Sequence, residues 1–396
     1  MTEQMVDEAI RRGLPETDDL DWKAKLPPHR DMQRADIVKD IAAMANSGGG
    51  MLVFGVDEEE RAASQRVDAG EFDEGYERTL RRVAYTAITP PVTGLSIHDV
   101  GGDGERIVAV VVPDSADAPH LVFRDQTFSA PVRNNSDTEW MREREIEAAY
   151  RARFTAFADA TAIANDLYDE SARAYASQNA ATIIAVAQPR HAQRPMERER
   201  RDLAGLVSDA WSRSRQWLGE ATYQVLDHVD GYAPQTGFRR WILPWTRKEQ
   251  TKYSHVAVHN DGGMSMAWRI GAQRSGPETN DGSNEVTSQG IEVFAANFLA
   301  LVRAVAETGS SGDMLVQLGI EWDGKAPLFC HGVNTRGERI SRSGVFGSRY
   351  TRVRTVIDTR ASDDDFYAQV RTFAEDCVAQ FGIRGLTHLM NPPRRP

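Results

Sequence analysis

Two carboxylates near the start of the chain could together bind a divalent metal ion. Glu16 and Asp21 stand five residues apart, and Lys23 follows them, in a stretch whose alternation predicts a partly exposed strand at residues 16–26. Carboxylate oxygens are the ligands that Mg²⁺ and Mn²⁺ prefer, and a bound metal would activate water for attack. Acidic pairs also occur on ordinary solvated strand edges, so the spacing alone leaves both interpretations open.

The first long helix predicted by the sequence ends in an asparagine and three glycines. Apolar residues at helical spacing predict this helix at residues 34–46, and the apolar run MLVFGV predicts a strand at 51–56. The glycines stop the helix and admit a tight turn. Backbone N–H groups of such a turn can also hold a phosphate, although the carbonyl end of a helix disfavours an anion. The residues of this predicted turn or phosphate site are Asn46, Gly48, Gly49 and Gly50.

Two basic stretches in the second half combine arginines with aromatic side chains, at residues 236–255 and 336–354. Arginine and aromatic side chains together suit phosphates and unstacked bases. Alternatively, Trp241 and Trp245 belong to the core, and the arginines lie along them. The predicted nucleic-acid contacts of these stretches are Arg239, Arg240, Arg247, Lys248, Arg349 and Arg352.

The charge is distributed unevenly along the 396 residues, whose formal net charge is −11. Residues 1–155 contain 19 basic and 30 acidic side chains, whereas the remainder contains 28 of each. A general binder of polyanions would carry the opposite sign. Any nucleic-acid site must therefore be a local patch.

Several classes of protein are disfavoured by missing features. Two cysteines cannot supply a zinc finger or a disulfide framework. No phosphate-binding G-x-x-x-x-G-K-[ST] motif occurs, which argues against ATP hydrolysis. Residues 1–14 lack the apolar segment of a signal peptide, and no apolar run has the length of a membrane span. We therefore expect a cytoplasmic protein without a membrane partner or cofactor, unless Glu16 and Asp21 bind Mg²⁺ or Mn²⁺.

The order of predicted elements indicates an α+β protein. In the first domain the strands and helices include a helix at 72–88 and a hairpin of strands at 93–98 and 106–112. Further on, the sequence predicts strands at 181–187 and 222–229 and helices at 288–307 and 364–381. The predicted division is a domain at 1–155, a helical connector at 156–218 and a second α+β domain at 219–396.

Six motifs follow one another in the first domain. They are the opening strand with Asp21-Trp22-Lys23, the helix end AAMANSGGG, the strand MLVFGVD, the pair Val112-Pro113, the pair Pro119-His120 and the segment APVRNNSDTEWM. Taken in order, these motifs resemble the Schlafen AlbA-type domain, a family associated with DNA binding. The resemblance covers about residues 12–150, and Asp21-Trp22-Lys23 stands where the family more often has Glu-Phe-Lys.

This resemblance implies a mixed sheet with helices and a nucleic-acid partner, DNA or RNA. Arg133, at the end of a strand, would contact a phosphate or pair with a local carboxylate. In eukaryotic Schlafen proteins the related fold carries a metal-dependent RNA-cleaving centre of three carboxylates, two of which correspond to Glu16 and Asp21. The third falls at Gly48 here, and Asp40 or Asp57 would have to replace it.

Three hypotheses on function follow from the sequence. The first is a nucleic-acid-binding protein, a regulator or a component of a bacterial defence or stress system. The second is a metal-dependent nuclease of Schlafen type that uses Glu16, Asp21 and Lys23. The third is a protein-interaction scaffold, in which the acidic first domain binds a basic partner or another copy of itself as a homo-oligomer.

Overall fold

The computed structural model describes residues 1–102, 104–124, 127–176, 180–190, 200–218, 224–244, 254–270, 284–308, 312–322, 327–334, 339–344 and 349–389. The chain forms two compact units, residues 1–155 and residues 156–396. Both units combine helices with mixed or antiparallel sheets, so the predicted α+β class is confirmed.

The first unit begins with helix α1 and ends within the long helix α4. Its elements are α1 (Glu3–Arg11), β1 (Leu20–Lys23), a 3-10 helix (Met32–Arg34), α2 (Asp36–Asn46), β2 (Gly50–Phe54), β3 (Val56–Glu59), β4 (Ala62–Arg66), α3 (Glu74–Thr86), β5 (Ile88–Thr89), β6 (Ser96–Val100), β7 (Ile107–Val112), β8 (Leu121–Arg124), β9 (Thr127–Ser129), β10 (Pro131–Asn134), β11 (Asp137–Trp140) and α4 (Glu143–Tyr175).

A four-stranded sheet of order β1-β2-β7-β6 forms the centre of the first unit. β1 runs parallel to β2, and the other two pairs are antiparallel. Side chains of β2 alternate between the two faces, as a strand requires. Leu52 and Phe54 join the core beneath α2 and α3, whereas Val53 packs with Trp22 and with Val6 of α1.

Two predicted strands are shorter in the structure. The strand expected at 16–26 is β1 alone, so Glu16 precedes it. The strand expected at 51–56 divides into β2 and β3 at Gly55, whose φ is +98°. A Cβ at Gly55 would collide with the Arg106 carbonyl oxygen, so only glycine fits this bend.

The second unit is built around a seven-stranded sheet of order β13-β14-β15-β16-β12-β18-β21, and β17, β19 and β20 form a smaller sheet. Its elements after α4 are β12 (Thr182–Pro189), α5 (Arg200–Leu218), a 3-10 helix (Val225–His228), β13 (Gln235–Gly237), β14 (Arg240–Leu243), β15 (Ser254–His259), β16 (Met264–Arg269), β17 (Glu285–Thr287), α6 (Ser288–Glu307), β18 (Asp313–Glu321), β19 (Phe329–Val333), β20 (Arg339–Gly344), β21 (Val353–Asp358) and α7 (Asp363–Ala379).

Strand β12 matches the strand predicted at 181–187, and it lies inside the segment 156–218 that was predicted as a helical connector. All eight residues of β12 are buried, with β16 and β18 on either side. Ile183 belongs to the main core with α5, α6 and α7, whereas Ile184 packs with Leu167 and Tyr168 of α4. Because both faces of the strand are covered, its run of apolar residues is continuous.

Helix α6 lies in the middle of the second core. It has the predicted bounds of 288–307. Its length and composition would also suit a membrane span, but 94% of its 18-residue apolar segment is buried within the unit. The predicted strand at 222–229 is wrong, because Val225–His228 forms a 3-10 helix. Asn297 of α6 holds that helix by accepting a hydrogen bond from the Leu226 N–H, at 3.0 Å.

Candidate nucleic-acid interface

Asp21 lies at the centre of the predicted acidic site, where two cations hold it. It is 2% exposed on β1. Its Oδ2 lies 2.7 Å from Lys23 Nζ, and its Oδ1 lies 3.3 Å from Arg133 Nη2. Burial opposes the charge of Lys23, yet the carboxylates of Asp21, Asp40 and Glu16 raise the pKa of Lys23 above its ordinary value. Asp21 is therefore part of a buried ion-pair cluster.

Glu16 approaches Asp21 from the turn before β1. Its Oε1 accepts a hydrogen bond from the Trp22 N–H at 3.0 Å. Burial raises the pKa of Glu16 to about 7; the Trp22 hydrogen bond opposes the rise, and the carboxylates of Asp21 and Glu58 add to it. The structure thus brings Glu16 and Asp21 together, as the spacing predicted, although Glu16 does not lie on the strand.

The third carboxylate of the predicted metal site is not assembled within the described part of the chain. Asp40 on α2 is buried, and this burial raises its pKa, while Lys39 and Lys23 oppose the rise. Asp57 is exposed on β3. Among the residues that the structure describes, no three His, Cys, Asp or Glu side chains are arranged to hold a metal ion.

The Arg133 side chain is buried, whereas contact with an external phosphate would require an exposed guanidinium. Only 2% of its side chain is exposed, and its Nη2 contacts Asp21 Oδ1 and the Thr17 carbonyl oxygen, at 3.3 and 3.4 Å. Of the two partners proposed for Arg133, the structure places the local carboxylate beside it. The guanidinium fastens β10 to β1, and Arg133 itself is not accessible to an external anion.

Asn46 connects the end of α2 to the segment before β8 and to the first residue of β10. Its Nδ2 donates to the carbonyl oxygens of His120 and Pro131, at 2.9 and 2.7 Å, and its Oδ1 accepts from the His120 N–H at 2.6 Å. His120 is fully buried, and its ring nitrogens contact the Pro90 carbonyl oxygen and Ser115 Oγ. The hydrogen-bonding groups of the Asn46 side chain therefore contact the protein's own backbone and stabilise the fold.

The glycine turn after Asn46 is tightly packed at two of its three positions. Gly48 and Gly49 have φ of +95° and +90°. A Cβ at Gly49 would lie 2.7 Å from the Asp114 nitrogen, and one at Gly50 would strike Met44 Sδ. Close packing against the end of β7 therefore accounts for Gly49, and contact with Met44 and the Asp19 backbone accounts for Gly50, while Gly48 alone of the three is exposed. The packing favours the turn over the phosphate site.

Two arginines predicted to contact nucleic acid instead pair with α4. Arg240 on β14 donates to Glu170 at 2.8 Å, and Arg352 donates to Asp169 at 2.6 Å. The Arg352 guanidinium also lies 3.9 Å from the centre of the Tyr168 ring. β14 and β21 lie toward opposite edges of the sheet, so cations from both sides converge on one helix.

Further polar contacts hold α4 on this face of the sheet. Asn165 Oδ1 accepts hydrogen bonds from Gln317 and Arg354, at 3.0 and 3.2 Å. The Tyr168 hydroxyl donates to Glu321 at 3.0 Å and lies where a Cβ of Gly319 would be. Sequence analysis missed these partners of the arginines, because Asp169 and Glu170 resemble any exposed acidic pair on a helix.

The remaining predicted cations differ in position. Arg239 is exposed in the turn between β13 and β14, its guanidinium 5.3 Å from the centre of the Phe238 ring. Arg349 is also exposed, before β21. Trp241 packs against the core, which favours the alternative interpretation for that residue. The predicted residues Arg247, Lys248 and Trp245 lie outside the described residues.

Residues 16–142 match the family model described as Schlafen, AlbA_2. This match confirms the resemblance drawn from the motifs of the first domain, and it supports a nucleic-acid-related function at that level. It covers about a third of the chain. No curated protein matches the chain.

Two solved structures are similar to part of the chain. The DIP2311 protein of Corynebacterium diphtheriae has 16% identity and a TM-score of 0.27, over 38% of this chain and 33% of that one. The N-terminal domain of an ATP-dependent DNA helicase RecG-related protein of Nitrosomonas europaea has 16% identity and a TM-score of 0.26, over 35% of this chain and 90% of that one. The chain thus spans about a third of the Corynebacterium protein.

Removing the Asn46 side chain is expected to destabilise the protein. Asn46→Ala leaves the buried His120 N–H without its partner, which costs about 1–3 kcal/mol of unfolding free energy. Asn134→Ala, at an exposed asparagine on the adjoining β10, is the matched control and should cost about 0.5 kcal/mol or less. Urea unfolding measures both, and equal midpoints would contradict the structural role of Asn46.

Glu16 is expected to make stability depend on pH. Its pKa is about 7 when folded and about 4.5 when unfolded, so the folded chain holds a proton that the unfolded chain releases. The resulting stabilisation is complete below about pH 4.5 and is lost as the pH rises through about 7. Glu16→Gln cannot ionise, so its stability relative to the parent should increase between about pH 5 and pH 8.

Urea titrations at several pH values measure this difference. Asp18→Asn removes an exposed carboxylate from the same turn and serves as the control. Parallel stability curves for the parent and Glu16→Gln would show that Glu16 does not titrate in this range.

Proposed function

We propose that this protein binds nucleic acid through the second unit, at the tip of the β13–β14 hairpin. The family match of residues 16–142 supports the nucleic-acid partner. The observation that carries the site is the exposed Arg239, which makes no ion pair within the described part of the chain and lies beside an exposed aromatic ring. A guanidinium presents a fork of donors that suits phosphate oxygens.

The charge distribution favours a small site on the second unit. All of the excess negative charge belongs to residues 1–155, so the second unit repels a polyanion less. Arg240 and Arg352 are already neutralised by Glu170 and Asp169. Arg349 precedes β21, at the opposite end of the strand order from the β13–β14 hairpin, so the proposed site includes Arg239 alone of these two cations.

The other two hypotheses remain predictions from the sequence. A nuclease would need a metal, and the described carboxylates do not form a three-ligand group. Divalent-metal dependence, a scaffold role and a homo-oligomer therefore stay outside this proposal. The choice between DNA and RNA, a cytoplasmic location and a role in regulation or defence also remain predictions from the sequence.

The proposal is tested by measuring oligonucleotide affinity as a function of salt concentration. Each phosphate contact contributes about 0.7–0.9 to the slope of log K against log salt. Arg239→Gly should reduce that slope by the contribution of about one phosphate contact. Glycine readily adopts the φ of +53° at this position. Fluorescence anisotropy with the full chain and a labelled oligonucleotide, at salt concentrations between about 50 and 200 mM, provides the measurement.

Arg34→Ala is the control, since Arg34 is an exposed cation of the acidic first unit. It should leave the slope unchanged. Absence of binding at the lowest salt concentration would overturn the proposed function, and an unchanged slope in Arg239→Gly would remove the hairpin from it.

A further inference from the structure

We infer that the β13–β14 tip binds an unpaired base by stacking it on Phe238, which makes single-stranded nucleic acid the ligand class. This inference rests on the proposed function and specifies its ligand. It follows from the shape of the hairpin, from the exposure of the ring and from the cation beside it.

The hairpin places two residues at its end. β13 and β14 pair through Gly237 and Arg240, so Phe238 and Arg239 alone form the connecting turn. Among the strands that the structure describes, β13 is an edge strand of the seven-stranded sheet and pairs with β14 alone. The turn therefore projects its two side chains where a ligand can approach them.

Phe238 is open to solvent to an unusual degree. It is 86% exposed, the highest value among the large hydrophobic residues that the structure describes. The fold thus leaves this ring without apolar burial. Single exposed hydrophobic residues are common on protein surfaces, but here the ring stands at a turn beside a cation.

The combination of ring and guanidinium distinguishes an unpaired base from a duplex. Each base inside a duplex has both faces covered by its neighbours, so a ring at a narrow tip cannot stack on it. An unpaired base has a free face, and stacking on an aromatic side chain tolerates any base. The Arg239 guanidinium can then contact the phosphate that follows the stacked base.

A nucleic-acid occupant fits this tip better than an apolar protein surface does. The described residues of the turn offer one ring and one charged group instead of a continuous apolar patch, and partner surfaces usually bury broad patches. The charge beside the ring is positive and matches a phosphate. A second copy of the chain is the alternative occupant, which the test distinguishes.

The test compares a single strand with a duplex, using the full chain. The probes are oligo(dT) of about 15 nucleotides and a duplex of the same length, at one salt concentration. Oligo(dT) should bind more tightly, and Phe238→Ala should weaken its binding about 10-fold. Phe238→Trp should retain the affinity, because indole stacks at least as well as phenyl.

Tyr232→Ala is the matched control. Tyr232 is 82% exposed and precedes β13, so it stands at the opposite end of the strand from the turn. Its replacement should leave the binding of oligo(dT) unchanged. Circular dichroism checks that each variant is folded.

Each contrary outcome has a separate meaning. Equal affinity for duplex and single strand, with no effect of Phe238→Ala, would overturn the stacking inference and leave the proposed function standing. Loss of all oligonucleotide binding in the parent would overturn both. A dimer in sedimentation that dissociates in Phe238→Ala, without any effect on oligonucleotide binding, would assign the tip to a second copy.

Discussion

Burial of the Asp21 carboxylate is the constraint on which the first unit depends. A buried carboxylate is costly unless cations and hydrogen bonds accompany it, and removal of one partner leaves an uncompensated charge. Lys23 on the same strand and Arg133 on β10 supply those cations. The ion-pair cluster therefore fixes where the β10–β11 hairpin lies against β1. Asn46 fastens the same region from the end of α2, through the carbonyl oxygens of His120 and Pro131.

The second unit uses its cations in a similar way. Arg240 lies on β14 and Arg352 precedes β21, near opposite edges of the sheet, and they pair with Glu170 and Asp169 of α4. These pairs are partly exposed, so each contributes modestly to stability, and their main effect is to position the helix. In both units, lysine and arginine side chains, which are of the type that contacts nucleic acid, instead form ion pairs that stabilise the fold. The motifs that resemble the Schlafen AlbA domain include several such structural residues.

Helical spacing of apolar residues predicted α2, and α6 has the bounds predicted for it, whereas α1 was not predicted. The segment 222–229 predicts a strand, but Val225–His228 forms a 3-10 helix, since the pattern of so short a segment fits both states. The spacing of Glu16 and Asp21 predicted their proximity. Their partners could not be predicted, because Arg133 is 112 residues from Asp21, and Arg352 is 183 residues from Asp169. Those contacts depend on sheet order and register, which no local pattern encodes.

The central claim is that the motif residues of the first unit are structural and that contact with nucleic acid occurs at the β13–β14 hairpin. Hydrogen exchange of the full chain, with and without a single-stranded oligonucleotide, tests this claim most directly. The account predicts slower exchange of backbone amides in residues 235–243 and unchanged exchange in 42–50 and 130–134. Slower exchange confined to those two first-unit segments, with the hairpin unaffected, would contradict it.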